Sequence, residues 1–375
     1  MIDHPAIQGL GAISALGNGI AAQVEAVRSN RSVFRPLRQL LGNDSPHAAR
    51  HAAWIEDRAS LTNRKWSPAT MAALIAAREA VADAGWKSHE LADAALVLGT
   101  SRGNAAGWLG EWPGRRPFKL MAASNTMHGE AAGALSIELG IHGPNHVVAS
   151  GCAAGLDAVG IAMLMLRGGL AERVLVVAVD LPLVPLLLDN YAASGLFSTK
   201  SSLDPYHPET DGFIPGEGAA AIAITNDSHR GIRLIHHGCN SDGVDPLGIP
   251  GDGGRTPALF EKIPAGFPVS AVCPHATGTA VQAKADPALL CRSACAGAPL
   301  HLLKPYVGHT IGASGLIETV LLAAFMCHGS LPQNKPGLFA PEGFSLPDSE
   351  TTVSGPVAKL CHAMGGHNSL LVLAP

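Results

Sequence analysis

Short apolar runs alternate with amphipathic stretches along most of this chain. Val174–Val179 and Ala219–Thr225 are continuous apolar runs, and Leu96–Thr100 is a third. Apolar runs of this length are typical of strands that are buried on both faces of a sheet. Met71–Ala84 instead repeats apolar residues at helical spacing and is followed by Gly85, which predicts an amphipathic helix that ends at the glycine. Strands interleaved with helices predict an α/β protein.

A second pattern is an internal echo, in which two segments of similar sequence each begin an apolar helix. The segment Ala153–Leu156 (AAGL) begins an apolar helix that ends at Gly169. The segment Ala313–Leu316 (ASGL) begins an apolar helix of the same length that ends at Gly329. Both helices follow a strand and a glycine-bearing turn. A repeated strand, turn and helix predicts a duplicated α/β unit.

Composition narrows the functional classes. Only 15% of the 375 residues are charged, the net charge is −4 and there is no long basic run, so the electrostatic footprint of a nucleic-acid-binding protein is missing. The seven cysteines are scattered and odd in number, which indicates a reducing, cytoplasmic compartment rather than a disulfide framework. The N-terminal residues lack the pattern of a signal peptide. The most apolar stretch, Val174–Leu188, contains Asp180, Pro182 and Pro185 and is too short to insert into a membrane.

The high share of apolar residues in the chain also bears on how subunits associate. It suits a large buried core and, in addition, a buried two-fold subunit interface. Apolar strands such as Val174–Val179 are candidates for that interface, so we expect a dimer.

Two weak motifs can be set aside. The segment Ile7–Ser14 (IQGLGAIS) nearly matches a dinucleotide-binding fingerprint, but Ser14 stands where the third glycine belongs and no ribose-binding acid follows at a suitable distance. Cys291 and Cys295, with His301 beyond them, could chelate zinc, but no second cysteine pair completes a structural site. We therefore expect neither a nucleotide cofactor nor a metal.

Cys152 has the setting of a nucleophile. It follows a predicted strand and a turn at Gly151, and it directly precedes the first apolar helix. At a helix N-terminus, the unpaired backbone N–H groups and the helix dipole favour the thiolate over the thiol. A cysteine in this place can also be a small buried hydrophobe, so the interpretation depends on partners.

Two histidines in glycine-bearing turns are candidate partners. His275 lies in the segment Pro274–Thr279 (PHATGT), and His309 closes the segment Lys304–His309 (KPYVGH) just before the second apolar helix. A turn can point an imidazole ring into a pocket, where the ring serves as a hydrogen-bond donor or a base. Together with Cys152, these turns favour a thiol nucleophile that is assisted by two imidazoles.

Five segments, in family order, resemble those of β-ketoacyl-acyl-carrier-protein synthases, the ketosynthases of the thiolase superfamily. They are the nucleophile segment Gly151–Gly155, the run Asp211–Ala219 (DGFIPGEGA), the loop His275–Thr279, the segment Lys304–Glu318 and the closing turn Gly365–Ser369 (GGHNS). The resemblance covers nearly the whole chain, although the chain is short and divergent for this family. It implies the thiolase fold, a duplicated α-β-α-β-α layered architecture, which accounts for the internal echo.

The same resemblance implies that the two halves of the chain carry different catalytic residues. Residues 1–230 would form the half with the nucleophile, and residues 231–375 the half with both catalytic histidines. Cys152 would take an acyl group from a carrier thioester. His275 and His309 would then stabilise the enolate formed when a malonyl-type extender loses carbon dioxide.

Further roles follow from the resemblance. The backbone N–H groups of Cys152 and Met364 would form the oxyanion hole for the acyl group. Donors fixed at a developing oxyanion contribute about 3–4 kcal/mol each. Lys304 would orient His309 through a carboxylate partner, for which Asp286 is our expectation.

Other residues of the family segments are expected to support the site. These are Glu318, Thr277 and Thr279, and the resemblance implies no cofactor. Several positions depart from the family's usual residues, which points to an acyl pocket and a carrier contact unlike those of ordinary fatty-acid elongation. The departures are Ala276 for glycine, Thr210 for arginine, His207 for aspartate, Gln282 and Ala283 for an Asn/Gly-Asp pair, Met364 for a gating phenylalanine, and a shortened stretch between Gly238 and His275.

An acidic acyl carrier protein is the expected partner, so the docking surface should be locally basic. Arg64 and Lys65, just before the Met71–Ala84 helix, are the main candidates, with Arg115 and Arg116 as the runner-up. An ordinary solvated turn would have the same appearance. The dimer partner would be a second copy of the chain or a ketosynthase paralogue.

Two other functions remain open at this point. The chain could be a chain-length-factor-like partner subunit in a heterodimer, although such subunits typically lack the nucleophile. It could also be a non-decarboxylating acyltransferase or thiolase-like enzyme. Thiolases usually use a second cysteine near the C-terminus, and Cys361 is near that place but lacks the Cys-x-Gly setting.

Overall fold

The computed structural model describes residues 4–105, 109, 128–227 and 230–375. Within these ranges the helices are α1 (Ile20–Arg28), α2 (Arg38–Leu41), α3 (Pro68–Ala84), α4 (Ser88–Ala92), α5 (Glu130–Leu139), α6 (Ala154–Arg167), α7 (Pro185–Ala193), α8 (Pro257–Phe260), α9 (Ala280–Cys291), α10 (Lys304–Val307) and α11 (Ser314–Met326). The strands are β1 (Ala6–Ser14), β2 (Gly17–Asn18), β3 (Arg35–Pro36), β4 (His51–Ala52), β5 (Ala95–Gly99), β6 (Asn145–Val148), β7 (Arg173–Asp180), β8 (Gly218–Thr225), β9 (Ile232–Ser241), β10 (Ala271–Cys273), β11 (Ser330–Leu331), β12 (Thr351–Thr352), β13 (Val357–Ala363) and β14 (His367–Ala374).

The main sheet consists of two units joined at one short contact. In the described residues its order is β10-β13-β14-β9-β1-β8-β7-β5-β6, with β2 paired to β1. β1 and β9 meet only through Ala6 with Arg233 and Ile7 with Ile232. Each side of this contact is therefore a separate unit of the sheet.

The two units repeat one topology. In the first unit, β5 and β7 run parallel, while β7 with β8 and β8 with β1 run antiparallel. In the second unit, β10 and β13 run parallel, while β13 with β14 and β14 with β9 run antiparallel. β6, the parallel neighbour of β5, is matched by a single parallel bridge between Val272 and Leu300. The predicted duplication is confirmed, whereas the division at residues 230 and 231 stays a prediction.

Apolar packing arranges these units in five layers. A central cluster joins α6 and α11 to the inner faces of both sheet units. α3 and α5 cover the outer face of the first unit, and α8 and α9 cover that of the second. Because α6 and α11 are the two helices whose sequences echo each other, the repeat places equivalent helices back to back in the core.

The glycines of β1 serve packing. A Cβ on Gly9 would lie 2.1 Å from the carbonyl oxygen of Ala80, and one on Gly11 would lie 2.0 Å from that of Ala76. The alanine-rich face of α3 therefore rests directly on the β1 backbone. α3 ends where it was predicted to end, at Gly85, whose φ is 68°.

One prediction about the subunit interface is wrong. β7 lies between β5 and β8 and is buried on both faces, so the apolar run Val174–Val179 belongs to the core of a single chain. β6 is the strand at the edge of the first unit, and Val147 on it is 38% exposed. On the adjacent helix α6, Ile161 and Leu164 are also exposed.

The stretch between Gly238 and His275 lacks a long helix, as the sequence predicted. Between β9 and β10, the described chain contains only the four-residue helix α8. Across the described ranges, no helix combines the length and the apolar character that crossing a bilayer would require.

Candidate active site

Cys152 lies in a tight turn between β6 and α6. Gly151 has a φ of 61°, in the left-handed region that favours glycine. A Cβ at Gly151 would also lie 3.1 Å from the Cβ of Ala363, at the end of β13. One 3₁₀ turn, Gly151–Ala153, leads into α6 at Ala154. The chain therefore presents Cys152 at the N-terminus of the first central helix, close to the second sheet unit.

The thiol of Cys152 contacts the imidazole of His309. The distance between Cys152 Sγ and His309 Nε2 is 3.3 Å, so one proton can lie between them. Burial raises the pKa of the Cys152 thiol to about 12. The Cys152 side chain is half-buried and lines a cavity, where a thiolate is less well hydrated than in water. Burial therefore favours the thiol and opposes the expected effect of the helix N-terminus.

His275 and His309 form a pair of neutral rings. Their centroids are 5.4 Å apart in an edge-to-face arrangement, and Phe213 packs on His309 with centroids 5.1 Å apart. Burial, followed by the positive charge of Lys304, holds the pKa of both histidines well below the ordinary value of 6.5. The Nδ1 atoms of both rings are buried without a hydrogen-bond partner. Both rings line the cavity, and Nε2 of His309 faces the Cys152 thiol.

Lys304 pairs with Glu318 rather than with Asp286. Lys304 Nζ lies 2.7 Å from Glu318 Oε1, and both side chains are fully buried. Ser314 Oγ donates a second hydrogen bond to the same oxygen at 2.6 Å. The predicted pair of Lys304 and Asp286 is therefore wrong, because the first turn of α11 brings Glu318 directly under the lysine.

Asp286 instead supports the turn that carries His275. Its Oδ2 accepts hydrogen bonds from the backbone N–H of Ala276 at 2.8 Å and from the hydroxyl of Tyr206 at 3.1 Å, and its Oδ1 accepts one from Gln282 Nε2. Ala276 has a φ of 46°, a left-handed conformation that costs a non-glycine residue roughly 1–3 kcal/mol. The alanine that replaces the family's glycine is thus strained, and Asp286 holds it in place.

A buried carboxylate, Asp180, anchors the turn that follows His309. It accepts hydrogen bonds from the backbone N–H groups of Gly312 at 2.7 Å and Ser101 at 2.9 Å, and from the hydroxyl of Thr100 at 3.0 Å. Burial raises the pKa of Asp180 to about 6. This residue ends β7, so it ties the first sheet unit to the start of α11. The sequence analysis missed it, although an acid at the end of an apolar strand was a visible signal.

The reactive groups line one cavity of about 230 Å³. Cys152, His275, His309, Thr277 and Thr279 all contribute to its wall. The two threonine hydroxyls lie 3.3 Å apart, and that of Thr279 also caps α9. The remaining lining residues are Leu196, Phe213, Leu247, Gly248, Ile249, Val281, Gln282, His362, Ala363 and Met364.

Met364 lies at the turn between β13 and β14 and is 40% exposed. It lines the same cavity as Cys152, so both residues of the predicted oxyanion hole border that cavity. The roles of their backbone N–H groups stay a prediction.

Comparison with family models decides the family. The model of the β-ketoacyl synthase N-terminal domain matches residues 5–230, and that of the C-terminal domain matches residues 263–336. The chain belongs to the β-ketoacyl synthase family.

Relatives of this chain are named as 3-oxoacyl-[acyl-carrier-protein] synthases and as a polyketide synthase subunit. A putative mitochondrial 3-oxoacyl-[acyl-carrier-protein] synthase of Schizosaccharomyces pombe is 25% identical and covers 87% of this chain and 87% of the relative. The 3-oxoacyl-[acyl-carrier-protein] synthase 2 of Rhizobium meliloti is 26% identical over 72% of this chain and 70% of the relative. The tetracenomycin polyketide synthase ketoacyl synthase alpha subunit of Streptomyces glaucescens is 30% identical over 52% and 50%.

Solved ketosynthase structures share the fold. A type II polyketide synthase ketosynthase, solved with its acyl-carrier protein and bound to the hexaketide, superposes with a TM-score of 0.85 at 20% identity, covering 100% of this chain and 99% of that one. The ishigamide ketosynthase/chain length factor gives the same TM-score, identity and coverage. The thiolase fold predicted from the sequence is therefore confirmed.

The sequence analysis missed two polar residues next to the histidines of this β-ketoacyl synthase. His362 is buried, lines the cavity and packs edge-on against His275 with ring centroids 5.6 Å apart. Gln282 Nε2 lies 2.8 Å from His362 Nδ1. Lys359 is also buried, and its Nζ lies 2.7 Å from Glu318 Oε2. Both missed residues lie in β13, where a charge or an imidazole inside an otherwise apolar strand was the available signal.

The predicted docking residues lie on the surface before α3. Lys65 Nζ forms an ion pair with Glu138 at 2.9 Å and lies 4.4 Å from the centroid of the Trp66 ring. Arg64 beside it is exposed. The runner-up pair, Arg115 and Arg116, lies outside the described residues. A docking role for Arg64 and Lys65 stays a prediction.

The residues of the discarded zinc motif do not converge. Cys291 is exposed, Cys295 is buried, and Nδ1 of His301 lies 2.6 Å from the carbonyl oxygen of Pro332. In the part of the chain that the structure describes, no group of three or more His, Cys, Asp or Glu side chains could hold a metal ion.

Proposed function

We propose that this chain catalyses the decarboxylative Claisen condensation of an acyl group on Cys152 with a malonyl-carrier thioester, which yields a β-ketoacyl-carrier product. The observation that carries the proposal is the arrangement of one cysteine and two histidines around a single cavity. Cys152 Sγ lies 3.3 Å from His309 Nε2, and the His275 ring lines the same cavity.

The first step would load the enzyme. Cys152 Sγ attacks the carbonyl carbon of the acyl-carrier thioester, and the bond between that carbon and the carrier sulfur breaks. Because the pKa of Cys152 is raised to about 12, the thiol needs a base at the moment of attack. His309 Nε2 accepts the thiol proton and passes it to the departing carrier thiolate.

The second step would form the carbon–carbon bond. The malonyl carboxylate leaves as carbon dioxide, and its electron pair forms an enolate whose charge lies on the thioester oxygen. His275 Nε2–H would donate a hydrogen bond to that oxygen, and His309 would donate a second one after its ring proton has moved from Nδ1 to Nε2. The enolate carbon attacks the acyl carbonyl, and Cys152 leaves as a thiolate that takes up one proton from solvent.

The charges around the site support this step. Neutral imidazoles are donors without being acids strong enough to quench the enolate, and burial keeps both histidines neutral. Two lysines, Lys304 and Lys359, share the single carboxylate of Glu318 beneath the rings. This cluster has one net positive charge, which favours an anion developing above it.

The proposal includes an acyl carrier protein as partner, because relatives and solved neighbours are named with one. It also includes a dimer, either of this chain or with a ketosynthase paralogue. The edge strand β6 and the exposed Ile161 and Leu164 of α6 offer an apolar surface for it. A cytoplasmic location is supported by the seven cysteines, all of which are free thiols.

The alternatives differ in what Cys152 does. A chain-length-factor-like subunit would shape the pocket of a partner and would not carry an acyl group. A thiolase-like enzyme would need a second cysteine in the cavity, but Cys361 is fully buried and its sulfur is near Gly315 in the core.

Two half-reactions test the proposal. Cys152→Ala should abolish acyl loading, whereas His275→Ala should keep loading and lose malonyl decarboxylation. His309→Ala should weaken both, because its ring contacts Cys152 and faces the cavity. Cys291→Ala, which removes an exposed thiol, is the matched control. Product formation by a Cys152→Ala complex at the parental rate would contradict catalysis by this subunit and favour the chain-length-factor function.

A further inference from the structure

We propose that Lys359 is a positioning residue for His275, and that it holds the turn that carries His275. This inference rests on the proposed function, in which His275 donates a hydrogen bond to the enolate. Lys359 acts through its contacts with the turn and with Glu318, and it does not itself reach the cavity wall.

The burial of Lys359 is unusual for a lysine. Its side chain is wholly inaccessible to solvent, and its Nζ lies 2.7 Å from Glu318 Oε2. Burial would lower the pKa of Lys359, but the nearby Cys273 sulfur and the Glu318 carboxylate raise it, so the side chain is a buried cation. A lysine is almost never fully buried unless it is paired, because removing an ammonium from water is costly.

Glu318 does not need this second lysine. Lys304 already pairs with its other oxygen, Oε1, at 2.7 Å, and that pair alone would be neutral. Removing one member of a buried charge cluster is most costly when the remaining charge is left without a partner, and Glu318 would keep Lys304. Pairing of Glu318 therefore does not require Lys359, and the other contact of Lys359 indicates a second role.

That other contact is with the backbone next to His275. Lys359 Nζ donates a hydrogen bond to the carbonyl oxygen of Pro274 at 3.1 Å. On the other side of His275, the backbone N–H of Ala276 donates to Asp286 Oδ2 at 2.8 Å. Two charged side chains from different elements thus hold the peptide groups on both sides of the histidine.

The turn needs such support because its glycine is missing. Ala276 has a φ of 46°, which a glycine would adopt freely and an alanine resists. Without the flanking contacts, the backbone at Ala276 would relax towards a negative φ and carry the His275 ring away from the cavity. Lys359 and Asp286 therefore offset the strain that the Gly-to-Ala departure introduces.

Lys359 also adds to the positive field around the ring. Lys304, His309, His362 and Lys359 each lower the pKa of His275 after the larger effect of burial. Asp286, a carboxyl group, also lies beside the His275 turn. Removing the charge of Lys359 would allow the pKa of His275 to rise. The acid limb of the decarboxylation profile would then move to higher pH.

The test compares Lys359→Met with Lys335→Met. Methionine removes the ammonium and leaves Glu318 paired with Lys304, so the variant should fold, with a lower thermal stability because Glu318 Oε2 loses its ion pair. Lys335 is a matched control, because it also donates to a backbone carbonyl, that of Arg31 at 3.1 Å, but it does not border the cavity.

The variant Lys359→Met should affect the two half-reactions to different extents. Acyl loading of Cys152 should stay within about twofold of the parent, whereas malonyl decarboxylation should fall roughly 10–100-fold, as is typical when a supporting contact displaces a reactive group. Adding Ala276→Gly to Lys359→Met should restore part of the lost rate. Decarboxylation at the parental rate with an unshifted pH profile would overturn the inference.

A spectroscopic measurement keeps this inference separate from the proposed function. NMR titration of histidine labelled with ¹⁵N should show a higher pKa for His275 in Lys359→Met than in the parent, and no such change in Lys335→Met. If the parent neither loads nor decarboxylates, the proposed function fails, but the titration still decides about Lys359. An unchanged His275 signal would overturn the positioning role.

Discussion

Gly155 and Gly315 face each other where the two central helices cross. A Cβ on Gly155 would lie 2.9 Å from the backbone nitrogen of Leu316, and one on Gly315 would lie 2.8 Å from Cγ of Leu156. Only glycine permits so close a crossing. Since Cys152 lies just before one helix and His309 just before the other, this crossing is what brings sulfur and imidazole within 3.3 Å.

Gly155→Ala should therefore damage both stability and chemistry. The added methyl group must displace the backbone of α11, which we expect to cost about 1–3 kcal/mol of unfolding free energy. It should also lengthen the distance between Cys152 and His309 and slow acyl loading. Urea denaturation and a loading assay measure the two effects.

Gly133→Ala is the matched control. Gly133 lies within α5, where a Cβ would meet no atom within 4 Å, so alanine should raise helix stability by up to about 1 kcal/mol. Equal behaviour of the two variants would contradict the role of the crossing.

The predicted duplication and the nucleophile could be identified from sequence because both are local signals. The echo between the two apolar helices and the turn at Gly151 each lie within a short segment. The pairing of Lys304 could not be identified in this way. Asp286 and Glu318 both lie within reach along the chain, and only the packing of α10 against α11 decides between them.

Lys359 and His362 were missed for a related reason. A polar residue in a strand is usually read as facing solvent, and nothing in the local sequence shows that both faces of β13 are covered. The wrong interface assignment has the same origin. The apolar run Val174–Val179 is compatible with a central strand or an interface strand, and the order of strands in the sheet decides.

Glu318 predicts an acid dependence of stability. The lysines Lys304 and Lys359 lower its pKa from 4.5 to about 2, although burial opposes this. The folded state therefore binds this proton more weakly than the unfolded state does. The resulting stabilisation is complete above pH 4.5 and is lost as the pH falls towards 2.

Glu318→Gln should remove that dependence. It leaves two buried ammonium groups with a neutral partner, so we expect a loss of roughly 3–5 kcal/mol at neutral pH. Denaturant unfolding between neutral and acid pH measures both quantities. A variant as stable as the parent, with the same acid slope, would show that the cluster does not govern stability.

The edge of the first sheet unit predicts the subunit interface. Leu164 on α6 is 63% exposed, next to the exposed Ile161 and the edge strand β6. Leu164→Lys should place a charge in the proposed interface and shift the protein from dimer to monomer in light scattering. Leu170→Lys is the control, because Leu170 is 68% exposed but lies beyond the end of α6. A dimer unaffected by Leu164→Lys would place the interface elsewhere.

Arg64→Glu tests the predicted docking role. Arg64 and Lys65 are both exposed, and Lys65 also pairs with Glu138. Arg64→Glu should raise the KM for carrier-bound substrates and weaken the salt dependence, since it replaces an attraction for an acidic carrier by a repulsion. A small thioester without a carrier should react as before.

Arg292→Glu provides the comparison for Arg64→Glu. Arg292 is similarly exposed and pairs with Asp252 at 3.2 Å. Its reversal should leave the KM for carrier substrates unchanged. An equal loss with carrier-bound and carrier-free substrates in Arg64→Glu would mean that the site was damaged, and the docking role would fail.

The most direct test of the account is mass spectrometry of the purified protein, alone and with its neighbouring gene products, after incubation with acyl-carrier and then malonyl-carrier thioesters. The account predicts a mass increase of one acyl group, mapped to the peptide that contains Cys152. Addition of malonyl-carrier should remove that acyl group and release carbon dioxide and a β-ketoacyl-carrier. A β-ketoacyl product formed while Cys152 never carries an acyl group would contradict the account.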